Sequence, residues 1–194
     1  MEETGKTYLG YITAYRLWHV KLNLKLTSLM LTHVDWRPQI PLRATCPKHT
    51  GGVAPYSNCP CGIYGYNELH AADRSYHSHA SLRQAVVFGK VALWGTIFTH
   101  ELGYRAEYAY PLEFIYVHTY CCRCGTILAD DSSSNIVCLE IKGESMHVAH
   151  AICCDNVKSE KALMGKSKHT DNLYNSNKSL ALQSQLTQKY LEKD

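Results

Sequence analysis

The sequence predicts an α+β chain that is mostly β. It divides into a small antiparallel β-barrel or rolled sheet over residues 1–118, a compact module over 119–155, and a polar linker with a short C-terminal helix over 156–194. Three observations carry this reading. Apolar residues recur with period two through much of the first 118 positions, the spacing that lines one face of a strand. Glycine and proline punctuate these runs at short intervals, as they do between strands. Nine cysteines are present, and six of them gather with two histidines into two four-residue sets, the number and chemistry of a closed tetrahedral Zn²⁺ site.

Composition bounds the function. The chain of 194 residues is 45% hydrophobic, enough for one cored domain with or without a small module. Charged residues are 19% and the net charge is +3, a mildly basic balance that permits nucleic-acid contact without demanding it. The 14 tyrosines suit half-buried strand positions and recognition surfaces, having an apolar ring and a polar tip. Met1 to Thr7 carries Glu2, Glu3 and Lys6 and no apolar secretion core. No apolar run reaches the roughly 18 residues of a membrane helix. Nine cysteines in that context point to a reducing, cytoplasmic compartment and metal ligation rather than disulfides.

The elements follow in order. Residues 8–32 read as strands, with His19 to Leu24 alternating well. Pro38 and Pro41 exclude helix, so a short strand over Leu42–Thr45 delivers Cys46. Residues 46–61 form a Pro- and Gly-rich loop with little apolar content, which a metal would order. Ile63–Asp73 is the best early helix, and Arg74–Ser81 an exposed loop with His77 and His79. Val86 to Phe98 is the strongest β signal, with Gly89 and Gly95 marking bulges or bends. Glu101-Leu102-Gly103 turns the chain into a strand from Tyr104 to Tyr110. Pro111 caps or bends that strand, and Leu112–Tyr120 is a further one. Past Asn156 the composition turns polar, and Ser179–Glu192 makes a short amphipathic helix that is marginal in isolation.

The second ligand set is Cys121, Cys124, His150 and Cys153. Cys121-x2-Cys124-Gly125 has the form of a zinc knuckle, in which a tight turn aims two sulfurs at one metal and faces backbone amides to the thiolates. Strands at Ile127–Leu128 and Asn135–Ile141 flank the polar turn Asp130–Ser134 as a hairpin, and His150-x2-Cys153 opens a short helix. Knuckle, hairpin and helical ligand pair resemble a treble-clef zinc finger. His147, Cys122, Cys138 and Cys154 are alternative ligands, and ordinary buried cysteines are the competing reading. Four protein ligands leave no open position, so such a site is structural rather than catalytic.

The first set is Cys46, His49, Cys59 and Cys61. Its Cys59-Pro60-Cys61 spacing is less usual, but a proline that fixes the turn lets both sulfurs reach one metal. A buried or reactive thiol pair is the alternative. The segments Cys59-x-Cys61-Gly62-Ile63-Tyr64, Gly89-Lys90-Val91-Ala92-Leu93-Trp94-Gly95 and His100-Glu101-x-Gly103-Tyr104-Arg105-Ala106-Glu107-Tyr108-Ala109-Tyr110-Pro111 resemble a largely uncharacterised family of bacterial and phage proteins. The likeness spans about residues 8–116 and departs at Gly65, where the family has alanine. It implies a shared domain and no particular chemistry.

Catalysis has one candidate. Strand alternation puts Arg105 and Glu107 on one face, and a hairpin would bring His100 or Glu101 near, as an acid–base set for a small hydrolase or transferase. A hydrogen-bonded network that pins hairpin register is the more economical reading. Trp94 and Tyr108 join these four as candidate ligand-binding residues, though aromatic cross-strand pairs more often serve packing. His100-Glu101 lacks the second histidine of a zincin motif, and Gly165-Lys166-Ser167 lacks the upstream glycine of a phosphate loop. The sequence thus predicts a zinc-stabilised binding or adaptor protein with two structural zinc ions. Its partner is protein or nucleic acid, with no membrane and no dinucleotide cofactor.

Overall fold

The computed structural model describes residues 5–21, 24–31, 33–49, 54–72, 85–118, 136–142, 145–150 and 178–192. In chain order the strands are β1 (Lys6–Val20), β2 (Leu26–Ser28), β3 (Asp35–Trp36), β4 (Leu42–Arg43), β5 (Ile63–Tyr66), β6 (Val86–His100), β7 (Gly103–His118), β8 (Ile136–Lys142) and β9 (Ser145–His150). The described residues are mostly antiparallel β, as the alternation predicts. One sheet runs β3-β2-β1-β5-β7-β4, and β6 pairs with both β1 and β7. The pairings therefore run in a ring, β1–β6–β7–β5, with Tyr15↔Tyr66 joining β5 back to β1.

The long strands bend where the sequence carries glycine. Register shifts fall between Phe88 and Gly89 and between Trp94 and Ile97 on β6. Gly95 has φ +77°, and a Cβ there would sit 2.9 Å from Glu107 Oε2, so both conformation and space require glycine. Pro111 departs from expectation. It lies inside β7 opposite Val91, and a register shift between Lys90 and Val91 leaves Leu112 unpaired beside it. A bulge is where a strand tolerates the missing N–H, so one continuous strand replaces the two expected. Ile63–Asp73 also departs: residues 63–66 are strand β5, and only 69–72 are helical among its described residues. The Ile-Tyr-Gly-Tyr run alternates buried and exposed against β7, and that pairing overrides the helical pattern.

Both faces of the sheet are covered near the C-terminal half of β1. On one face Trp18 meets Trp36 and Phe114 edge-on, with centroids at 5.5 and 5.8 Å. On the other, Leu17, Val86 and Phe88 pack with Ala72. The C-terminal helix (Lys178–Tyr190) buries Leu182, Leu186 and Tyr190, a four-residue repeat on one face, into the first of these clusters. Tyr190 Oη donates to the Trp36 carbonyl at 2.9 Å and accepts from Leu26 N at 3.0 Å. Tyr110 Oη donates to the Tyr190 carbonyl at 2.6 Å. Tertiary packing thus supplies what a short isolated helix lacks.

β8 and β9 form a separate two-stranded sheet. The strand expected over Asn135–Ile141 is present as Ile136–Lys142, but its partner is Ser145–His150, with Lys142 opposite Ser145. The expected partner strand, Ile127–Leu128, lies outside the described residues. His150 ends strand β9, and the helix expected from it would fall on residues outside the described ones. Only Gly143 and Glu144 separate the two strands in sequence, the spacing of a two-residue hairpin. No helix among the described residues is long and apolar enough to cross a membrane.

Candidate metal centre

Two arms of the loop after β4 bring the first ligand set together. β4 pairs with β7 through Leu42↔Ala109 and Arg43↔Tyr108, and Ala44 N continues the ladder to the Glu107 carbonyl at 2.7 Å. This anchors Cys46. A turn closed by His49 N to the Cys46 carbonyl, at 3.3 Å, then swings the imidazole back over its own strand. His49 Nδ1 lies 3.1 Å from Cys46 Sγ, and its ring stacks on Tyr56 with centroids 4.1 Å apart.

The second arm carries Cys59 and Cys61 into β5. Cys59 N donates to the Tyr56 carbonyl at 3.3 Å, and Tyr56 N donates to Cys61 Sγ at 3.4 Å. Gly62 (φ +129°) turns the chain where a Cβ would lie 3.1 Å from the Cβ atoms of both Arg105 and Pro55. Cys46 Sγ and Cys59 Sγ end 3.6 Å apart, far beyond a disulfide bond and close to the roughly 3.8 Å edge of a zinc–thiolate tetrahedron with Zn–S near 2.3 Å. The ligand atoms of Cys46, His49 and Cys59 all lie within 4.8 Å of one another. Cys61 lies beside them, close enough for its thiol to be perturbed by those of Cys46 and Cys59. The hydrogen bond from His49 brings the Cys46 thiol down to about 6, whereas burial, with the neighbouring thiols, pushes Cys61 up to about 11. A divalent cation would relieve that crowding by taking the thiols as thiolates.

Arg105 organises this loop, a role its sequence gave no sign of. Only 2% exposed, it projects from β7 under the second arm. Its Nη1 donates to the carbonyls of Tyr56 and Cys61, both at 2.9 Å, and to that of Cys59; its Nη2 donates to Ser57 at 3.3 Å. Nε donates to His100 Nε2 at 2.9 Å, and the guanidinium lies 4.6 Å over Phe98. A zinc held by three thiolates and a neutral imidazole would carry one net negative charge, which this buried cation would offset.

The candidate acid–base residues take different partners. Arg105 and His100 meet, as above. Glu107 Oε1 lies 3.5 Å from Arg43 Nη2, and its Oε2 accepts from Thr96 N at 3.4 Å. Glu101 is exposed on the β6–β7 turn, where its carbonyl accepts from Asn67 Nδ2 at 3.1 Å. Trp94 and Tyr108 are cross-strand partners stacked at 5.7 Å, with Arg43 over Tyr108 at 5.5 Å. These contacts pin strands to one another and give the four residues no common target.

Of the second ligand set, Cys121, Cys124 and Cys153 lie outside the described residues, as do the alternatives Cys122 and Cys154. The backbones of His150, His147 and Cys138 belong to the β8–β9 hairpin. Comparison with protein-family models, with curated proteins and with solved structures finds no match.

Proposed function

We propose that this chain is a zinc-stabilised binding protein rather than an enzyme. The observation that carries it is the convergence of Cys46, His49 and Cys59, with Cys61 beside them, from two arms of one loop. Three thiolates and an imidazole suit Zn²⁺ better than Mg²⁺ or Ca²⁺, which prefer oxygen. Four protein ligands close the coordination sphere, so the metal shapes a surface and activates no water. The second zinc, on Cys121, Cys124, His150 and Cys153 in a treble-clef-like module, belongs to the same proposal. The aromatic pair Trp94–Tyr108 and the His100–Arg105 contact support the fold in this reading.

The test is metal content. The purified chain carries close to two equivalents of zinc by elemental analysis. Cys46→Ser with Cys59→Ser removes one equivalent, and Cys124→Ser removes the other. Wild-type protein with no zinc, or the Cys46/Cys59 variant with undiminished zinc, ends the reading.

A further inference from the structure

Arg16, on β1, has no carboxylate partner among the described residues. Its Nη2 donates to Ser28 Oγ at 3.0 Å, its Nη1 donates to the Tyr64 carbonyl, and the Trp36 ring lies 5.0 Å beneath it. Its Nε is shut off from solvent and has no partner. Burial pushes Arg16 down to about 10, which still leaves it charged at neutral pH. The residue as a whole is part-buried, so its guanidinium stays within reach of a ligand, and a counter-charge in an apolar wall would stabilise it.

Arg16 lines an open cavity of about 680 Å³, within the roughly 300–1,000 Å³ range of small-ligand pockets. The wall is largely apolar, including Leu29, Met30, Leu31, Ile63 and Leu102. Met30, Leu31 and Leu102 are large side chains left exposed at its rim. The other formal charges on the described lining are Arg43 and Lys48, and no aspartate or glutamate is among them. The metal loop supplies one side, through Cys46–Lys48 and Cys59–Gly62. An apolar body, an uncompensated guanidinium and a positive rim together describe the complement of an amphipathic anion.

We propose that this cavity binds a small amphipathic monocarboxylate, whose head pairs with Arg16 and whose apolar body lies along Leu29, Met30, Leu31 and Leu102. A planar guanidinium donates two parallel hydrogen bonds to a carboxylate, so head and tail are recognised by different parts of one cleft. The inference rests on the binding-protein reading, because the metal-ordered loop forms one wall.

Calorimetric titration of the full chain with dodecanoate, 1-dodecanol and acetate, each below its aggregation limit, tests it. Dodecanoate binds more tightly than either fragment. Arg16→Met weakens dodecanoate by about ten-fold or more and leaves dodecanol unchanged. Replacing an uncompensated cation by an apolar side chain of similar length preserves folding, which a melting curve checks. Met30→Asp provides a second arm at a rim position 70% exposed: it weakens dodecanoate by repulsion without touching the core. Equal binding of dodecanoate and dodecanol, undiminished dodecanoate affinity in both variants, or no dodecanoate binding by zinc-loaded protein overturns the proposal. Zinc is assayed in the same samples. A metal-free chain that still binds dodecanoate through Arg16 therefore overturns the zinc reading and keeps this one.

Discussion

Two regions along β7, which meet in one core, are held by different means. Around Trp18, Trp36, Phe114 and Tyr190, large apolar side chains fill the space between strands and the C-terminal helix. In the described parts of the loop over residues 46–61, which reach that core through Cys46, Ala54 and Cys59, further cohesion comes from clustered thiols, an imidazole and one guanidinium reaching backbone carbonyls. The first region has dense aromatic and branched side chains to bury. The second is mostly proline, glycine and small polar residues, and its carbonyls would otherwise face the interior unsatisfied. Where a segment brings little apolar surface of its own, directional bonds must order it, and these fail one partner at a time rather than gradually.

Substitutions separate the two regimes. Trp18→Ala, at a fully buried position, removes the centre of the aromatic cluster and is expected to cost about 4 kcal/mol in urea unfolding. Zinc content of the folded fraction stays unchanged, and a loss of metal here would show that core and loop are one cooperative unit. Arg105→Met leaves the carbonyls of Tyr56, Ser57, Cys59 and Cys61 without their donor and should cost about 3 kcal/mol. Its signature is local. Amides 54–61 lose hydrogen-exchange protection and zinc affinity falls, while β1 and β6 amides keep theirs to a greater degree. Uniform loss across all strands would erase the distinction.

A smaller effect lies in pH. His19 is fully buried on β1 with both ring nitrogens unpartnered, and burial, helped by the charge of Lys21, holds it down to about 4 from the usual 6.5. The unfolded chain therefore takes the proton first as pH falls, and stability drops between those two values. At pH 5 the loss relative to pH 7.5 is about 2 kcal/mol. His19→Leu removes that slope, and comparing variant with wild type cancels the acid release of metal common to both. Identical pH profiles would place His19 in a solvated position.

Much of the fold could be read before any coordinates. Period-two alternation located β1, β6 and β7, and Gly89 and Gly95 marked register shifts because only a residue without Cβ accepts that crowding. The ligand spacing after Leu42 anticipated the approach of Cys46, His49 and Cys59. Pro111 misled because a bulge at Leu112 accommodates it, and that bulge exists only when β6 lies alongside. Arg105 and Glu107 suggested an acid–base pair by alternation, which fixes a face of a strand but not the partner that face will meet.

Local pattern thus determined the strand-rich character of the chain and the ligands of its first candidate metal centre. Both follow from short-range rules: side chains alternate along a strand, and a turn can bring nearby thiols and an imidazole to one point. Long-range approach decided the rest. The Tyr15↔Tyr66 seam, the clamping of the loop by Arg105, the docking of Tyr190 against Trp36 and the placing of Arg16 in an apolar cavity join segments remote in sequence. Such partners are selected by the total burial and hydrogen bonding of the folded chain, a quantity that no single segment encodes.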